Sequence, residues 1–203
     1  LRVRVRGRMA GGAKACRQGT KAKEGTEEVT DIQMSRVWAM PSGNTFSIAP
    51  IAAFVRKYTT GASAVADPFA RDSQFGTITN DLNPETKAMY HMDAEEFAKS
   101  VLLPSSVDVV LFDPPYSPRQ ISGLYQKVGL PVTTRDTQNP RLYKAVRDGL
   151  TMALRPGGTA LSFGWNSVGF GKGRGFEMLE IMLVSHGGAH NDTICVAERK
   201  LPA

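Results

Sequence analysis

Residues 107–112, Val-Asp-Val-Val-Leu-Phe, run without a break into Asp113-Pro114-Pro115-Tyr116. This junction constrains the fold more than any other stretch of the chain. The six residues are too few for a stable helix and rich in Val, so they predict a buried strand. Two prolines then end it, because neither has an N–H to continue a ladder and each fixes φ. A strand must therefore stop at a carboxylate. The same pattern recurs upstream. Residues 62–66 predict a short strand closed by Asp67-Pro68-Phe69-Ala70, and residues 75–79 a second closed by Asn80-Asp81-Leu82-Asn83-Pro84. Residues 90–92 predict a brief third strand before Asp93.

Helical patterns separate these strands. Ile51, Phe54, Val55 and Tyr58 fall on one face of a helix that Gly61 ends. A short helix is expected over 84–89. Asp93 caps a helix over 94–102 with Phe97, Val101 and Leu102 as its stripe. Residues 117–138 read as a polar loop with one short helix. Asn139 and Pro140 start a helix to about residue 154, on which Leu142, Val146, Leu150 and Ala153 recur at helical spacing. Arg155-Pro156-Gly157-Gly158 should stop it sharply, before a strand over 159–163. Residues 176–184 and 193–197 are too closely linked for a crossover helix, so they predict an antiparallel hairpin at a sheet edge. The fold class is α/β, mostly parallel, with a C-terminal antiparallel hairpin.

Composition adds bounds rather than identity. The chain has 203 residues, 41% hydrophobic, enough for one domain with a core. No apolar run approaches the roughly 20 residues of a membrane span. Cys16 and Cys195 stand far apart without His clusters, which argues for free thiols and against a metal site. The formal charge is +6, but residues 1–30 hold eight basic and three acidic residues, so the body carries almost none of it. Residues 1–33 are expected to be a basic N-terminal extension, disordered or non-native, and residues 34–203 a single domain. A basic arm for DNA phosphate is the alternative for the extension.

Four strand ends thus carry Asp67, Asp81, Asp93 and Asp113 on one rim, where open α/β sheets bind ligands. Each alone also suits a turn or helix cap. An acidic residue after the second strand is placed to accept from ribose hydroxyls. Asp93 is placed to accept from an adenine amino group, and Asp67 faces a positively charged end. The Asp-Pro-Pro-Tyr tetrad holds a carboxylate, a rigid acceptor carbonyl and an aromatic ring together. An exocyclic aromatic amine needs those groups, because its lone pair is delocalised and two N–H acceptors help it become tetrahedral. The tyrosine offers a stacking face for a base turned out of its helix.

The tetrad Asp113-Pro114-Pro115-Tyr116 resembles the catalytic motif of DNA amino-methyltransferases, chiefly adenine-N6 enzymes. Asp67-Pro68-Phe69-Ala70 resembles their cofactor motif, and Phe46 with the helix behind it their preceding cofactor segment. The runs 79–84, 91–94 and 113–120 are similar to small bacteriophage and prophage adenine methylases. The resemblance implies a Rossmann-like S-adenosylmethionine-dependent methyltransferase sandwich over residues 34–203. It implies that Asp113 and the Pro114 carbonyl accept from the target amine, with Pro115 and Tyr116 completing the catalytic motif. Cofactor contacts would come from Phe46, Asp67, Pro68, Phe69, Ala70, Asp81, Leu82, Asp93 and Ala94. Double-stranded DNA is the implied substrate, in the cytoplasm of a bacterial or phage-infected cell, without membrane or metal.

Candidate nucleic-acid contacts are Arg119 and Gln120 after the tetrad, with Lys127, Arg135 and Gln138 beyond, and Lys172 and Arg174 in the glycine-rich run 169–175. That run lacks the spacing of a phosphate loop and also reads as a linker. Trp165 and Asn166 follow a strand and suit either a base pocket or the core. One position departs from the resemblance: the glycine usual after the Phe-x pair is Arg71. Cytosine-N4 methylation and a non-catalytic module of the same fold stay open. A cytosine-C5 mechanism does not, because neither cysteine follows a proline at a strand end.

Overall fold

The computed structural model describes residues 31–127, 129, 131, 140–188 and 190–202. Residues 1–30 lie outside these, and with them nearly all of the expected extension and Cys16. Seven strands form one sheet in the order β1-β6-β7-β5-β4-β2-β3. They are β1 (Gln33–Trp38), β2 (Val65–Asp67), β3 (Ile78–Thr79), β4 (Val107–Phe112), β5 (Leu154–Gly164), β6 (Phe176–Ser185) and β7 (Thr193–Lys200). β1 with β6, β2 with β3 and β4, and β4 with β5 are parallel; β7 runs antiparallel to β5 and β6. The α/β sheet with a C-terminal antiparallel pair is therefore present. Between β2 and β4 the chain runs out to β3 and returns, so the strand order reverses there. A crevice opens at such a switch point.

Four α-helices lie among the described residues: α1 (Ala49–Thr59), α2 (Ala94–Ser100), α3 (Pro118–Lys127) and α4 (Pro140–Ala153). Alternation along the strands divides the core into two layers. Val109 and Leu111 of β4 join Val65, Leu161 and Val184 beneath Ile51, Phe54 and Val55 of α1. Val110 and Phe112 face the other way, toward Phe97 of α2 and Val146 and Leu150 of α4, and Val107 joins them because the strand is irregular between Val107 and Val109. Asp93 caps α2, its Oδ1 accepting from Glu95 and Glu96 N–H at 2.8 and 3.3 Å.

Several expectations are corrected. β1 was not foreseen; its residues are nearly all exposed, and backbone pairing with β6 holds them. It displaces the hairpin from the edge, and β7 lies inside the sheet. The strand at 90–92 is a single bridge between Asn80 and Tyr90. The Asn80 side chain does the joining there, donating to Pro68 and Met92 carbonyls and accepting from Met92 N–H. Residues 84–89 form turns, with Asn83 Oδ1 and carbonyl taking the local donors. β5 starts at Leu154, so Arg155-Pro156-Gly157-Gly158 belongs to the strand; a register shift against β4 absorbs it.

Candidate active site

A cavity of about 370 Å3 lies over the carboxyl ends of β2 and β4, within the roughly 300–1,000 Å3 typical of small-ligand sites. Its floor comes from Pro68 and Phe69 after β2, Asn80 to Asn83 after β3, and Met92 to Ala94 before α2. Asp113 to Tyr116 after β4, Gly43 and Thr45 before α1, and side chains of α3 and α4 complete it. The tetrad and six of the nine expected cofactor residues therefore meet in one cavity. Asp67, Phe46 and Ala70 stand behind its wall. Phe46 is 7% exposed and packs edge-on to Phe75 and Phe163, so Gly43 and Thr45 present that segment to the cavity.

The four aspartates differ sharply. Asp81 is braced on both oxygens, accepting from Arg71 N–H at 3.0 Å and Asn83 N–H at 2.9 Å. Asp93 spends Oδ1 on its helix cap. Asp67 is fully buried; Oδ1 accepts from Phe69 N–H at 3.1 Å, while Oδ2 is buried with no partner. Burial, reinforced by the charges of Asp113 and Asp81, pushes its carboxyl up to about 8. Asp113 is likewise raised by burial, against the lowering effects of the Tyr116 and Thr45 hydroxyls and the Arg71 guanidinium.

The tetrad is held from several sides. The Tyr116 hydroxyl donates to Asp113 Oδ1 and also meets the Phe163 carbonyl. Its ring lies against Gly164, where an added Cβ would come within 2.9 Å, and tilts 40° to Trp165 with centroids 5.8 Å apart. Tyr143 donates to the Pro115 carbonyl at 2.5 Å, so that acceptor is engaged. Ser117 and Gln120 form a reciprocal box at the start of α3. Gln120 Oε1 accepts from Ser117 N–H at 3.1 Å and from Tyr116 N–H at 2.8 Å, and Ser117 Oγ accepts from Gln120 N–H at 3.2 Å. Gln120 thus positions Tyr116, a role its S-x-x-Q spacing signals. Asn80, Tyr143 and Thr45 were not singled out in the sequence; only their three-dimensional partners reveal them.

Arg119 is exposed on α3, and Arg135 and Gln138 lie outside the described residues. Lys172 and Arg174 are not brought to the site. Phe176, just after them, pairs with Lys200, whereas Gly164 beside Tyr116 pairs with Ile194 at the other end of β7. They therefore sit at the opposite end of the sheet. The glycine-rich run wraps a buried carboxylate of the protein itself: Glu198 accepts from Phe170 and Gly171 N–H at 2.6 and 2.9 Å. Arg174 pairs with Asp148 at 2.8 Å. Among the described residues no group of three His, Cys, Asp or Glu side chains is placed to hold a metal. No described helix is long and apolar enough to cross a membrane.

The fold is that of the Rossmann-like S-adenosylmethionine-dependent methyltransferases. Among solved structures, the chain is similar to the N-methyltransferase NodS from Bradyrhizobium japonicum WM9, with 12% identity, TM-score 0.51 and coverage of 79% of this chain and 99% of that one. It is similar also to Burkholderia thailandensis 1,6-didemethyltoxoflavin-N1-methyltransferase, crystallised with S-adenosylhomocysteine, with 13% identity, TM-score 0.51 and coverage of 75% and 77%. TrmN from Thermus thermophilus aligns at 18% identity and TM-score 0.49 over 76% of this chain and 49% of that one. The chain spans about half the length of TrmN and of Pyrococcus horikoshii NSun6. At these identities the likeness is one of fold. No family model and no curated protein matches the sequence.

The residues present fit S-adenosylmethionine. Asp67, buried behind the cavity wall with one carboxylate oxygen orphaned, suits an ammonium on the cavity side by its field rather than by contact. Asp81 and Asp93 supply acceptors along the floor, and Phe69, Leu82 and Ala94 supply apolar wall.

Proposed function

We propose that this chain is an S-adenosylmethionine-dependent amino-methyltransferase acting on the exocyclic N6 amine of adenine in DNA. The observation that carries the reading is the tetrad: Asp113, Pro114, Pro115 and Tyr116 line the same cavity as Phe69, Asp81 and Asp93. When bound, the cofactor supplies an electrophilic methyl group. Asp113 accepts one N–H of the target amine, and its proton affinity, raised by burial, suits it to take the proton that the nitrogen gives up on gaining the methyl group. The Pro114 carbonyl accepts the second N–H. The Tyr116 ring stacks on the extruded base, for which its hydroxyl leaves Asp113. Tyr143 and Gln120 hold the tetrad backbone in place for that exchange. Pro68, Phe69, Asp81, Leu82, Asp93 and Ala94 hold the cofactor, with Asp67 acting from behind the wall and Phe46 and Ala70 shaping the loops there. Catalysis then rests on proximity and fixed acceptors, without a covalent enzyme intermediate. Arg119 and Lys127 on α3 lie on the tetrad side of the molecule and are the described cations assigned to DNA backbone.

The test is to incubate the protein with methyl-labelled cofactor and double-stranded DNA, then digest to nucleosides. Label in N6-methyladenine supports the proposal. Label in N4-methylcytosine moves the activity to cytosine, where the acceptor chemistry is nearly the same. Cofactor binding without transfer marks a non-catalytic module. Asp113→Ala should lower transfer at least ~1,000-fold while changing S-adenosylhomocysteine affinity by no more than about threefold. A variant that stays active removes Asp113 from this role.

A further inference from the structure

Arg71 occupies a position that its backbone disfavours. Its φ is +52°, a left-handed conformation that costs a non-glycine residue roughly 1 kcal/mol. Glycine would take this conformation without that cost. The arginine side chain therefore does something glycine cannot.

Its placement indicates what. The Arg71 N–H is fixed by Asp81 Oδ2 at 3.0 Å, so the residue is anchored to the cavity floor. The guanidinium crosses to the Gly43 carbonyl and bridges the loop after β2 to the segment before α1. It lines the cavity beside Phe69 and acts electrostatically on Asp113. At this end the cavity otherwise has the carboxylate of Asp113 in its lining and that of Asp67 buried behind its wall. A zwitterionic amino-acid group placed there meets acceptors for its ammonium and needs one cation for its carboxylate. A guanidinium presents five N–H donors, so one bond to Gly43 leaves others to form a paired contact with a carboxylate.

We propose that Arg71 is the receptor for the carboxylate of the cofactor's amino-acid end. It would then be a specificity-determining residue that distinguishes the intact cofactor from decarboxylated analogues. This rests on the cofactor reading above. Arg71 in the cavity and Asp67 acting through its wall would give an α-amino acid group one cationic contact and one anionic field.

Calorimetric titration of the whole chain tests this with S-adenosylhomocysteine and its decarboxylated form. Wild-type protein should bind the intact ligand about 10- to 100-fold more tightly, the range of a hydrogen-bonded ion contact. Arg71→Gln should lose that preference, weakening the intact ligand while leaving the decarboxylated one within about twofold. Arg71→Gly relieves the backbone strain, so its melting temperature should hold or rise while the preference still disappears. Equal weakening of both ligands in Arg71→Gln would overturn the proposal and leave Arg71 as a loop strap only. An unchanged preference in either variant would also overturn it. If wild-type protein bound neither ligand, the cofactor reading itself would fail, and the proposal with it.

Discussion

Asp67 makes the cofactor reading measurable through protons. Its carboxyl is pushed up to about 8 by burial and by the facing carboxylates Asp113 and Asp81, and its Oδ2 has no partner. At pH 7 a group with that value is about nine-tenths protonated. An ammonium in the cavity, on the other side of the wall from Asp67, reverses the balance through its field, because a nearby cation favours the charged carboxylate. Binding of S-adenosylhomocysteine at pH 7 should therefore release close to one proton, about 0.9 per ligand, and affinity should rise by nearly tenfold from pH 6 to pH 7. Calorimetry in buffers of different ionisation enthalpy reads the proton count directly. Asp67→Asn should bind more weakly and lose most of the release. Absence of proton release from the wild type, or the same release from Asp67→Asn, would refute the reasoning. The ligand-free protein offers a second check. Between about pH 4 and pH 8 the folded state holds a proton that the unfolded chain has lost, so Asp67 makes stability fall as pH rises through this window. Asp67→Asn should flatten that slope in thermal melts.

Two further predictions concern the frame around the site. Asn80→Ala removes three hydrogen bonds, one buried and two part-buried, that tie the loops after β2, β3 and the Tyr90 bridge. It should cost about 3 kcal/mol, a fall of roughly 6–12 °C in melting temperature, with cofactor affinity lost in parallel. Gly169→Ala places a Cβ 2.1 Å from Glu198 Oε2 at a φ of +56°. It should cost about 3 kcal/mol or more in a denaturant titration, whereas Lys172→Ala, exposed at the far end of the sheet, should leave both stability and methyl transfer unchanged.

The parts of this molecule that a sequence can disclose are those whose causes are local. β4 and the tetrad are one such part, because a Val-rich run stopped by two prolines has a single physical reading. The capped, periodic helices α1, α2 and α4 are others, though α4 lost its sharp stop to the start of β5. β1 was not legible: Gln33, Met34, Ser35 and Arg36 show no apolar alternation, and their partners in β6 lie far along the chain. Glu198 looked like any strand carboxylate until the glycine-rich run folded around it. That same fold explains why Lys172 and Arg174, attractive as phosphate ligands, are remote from Asp113.

The aspartates show the limit most clearly. In sequence, Asp67, Asp81, Asp93 and Asp113 are four equivalent strand ends. In the fold, what distinguishes them is how many of their oxygens the protein already uses. Asp81 is used on both, so it braces Arg71 and Asn83 as well as facing the floor. Asp93 is used on one, for a helix cap that any N-terminal Asp can make. Asp113 is held by a tyrosine hydroxyl that stacking of a base would withdraw. Asp67 alone is sealed away with an oxygen unanswered. Burying a carboxyl in that state costs stability unless something arrives to meet it. The strongest single indication of a cationic ligand is thus a cost the unliganded protein bears, and the backbone strain at Arg71 is a second cost borne at the same end of the cavity.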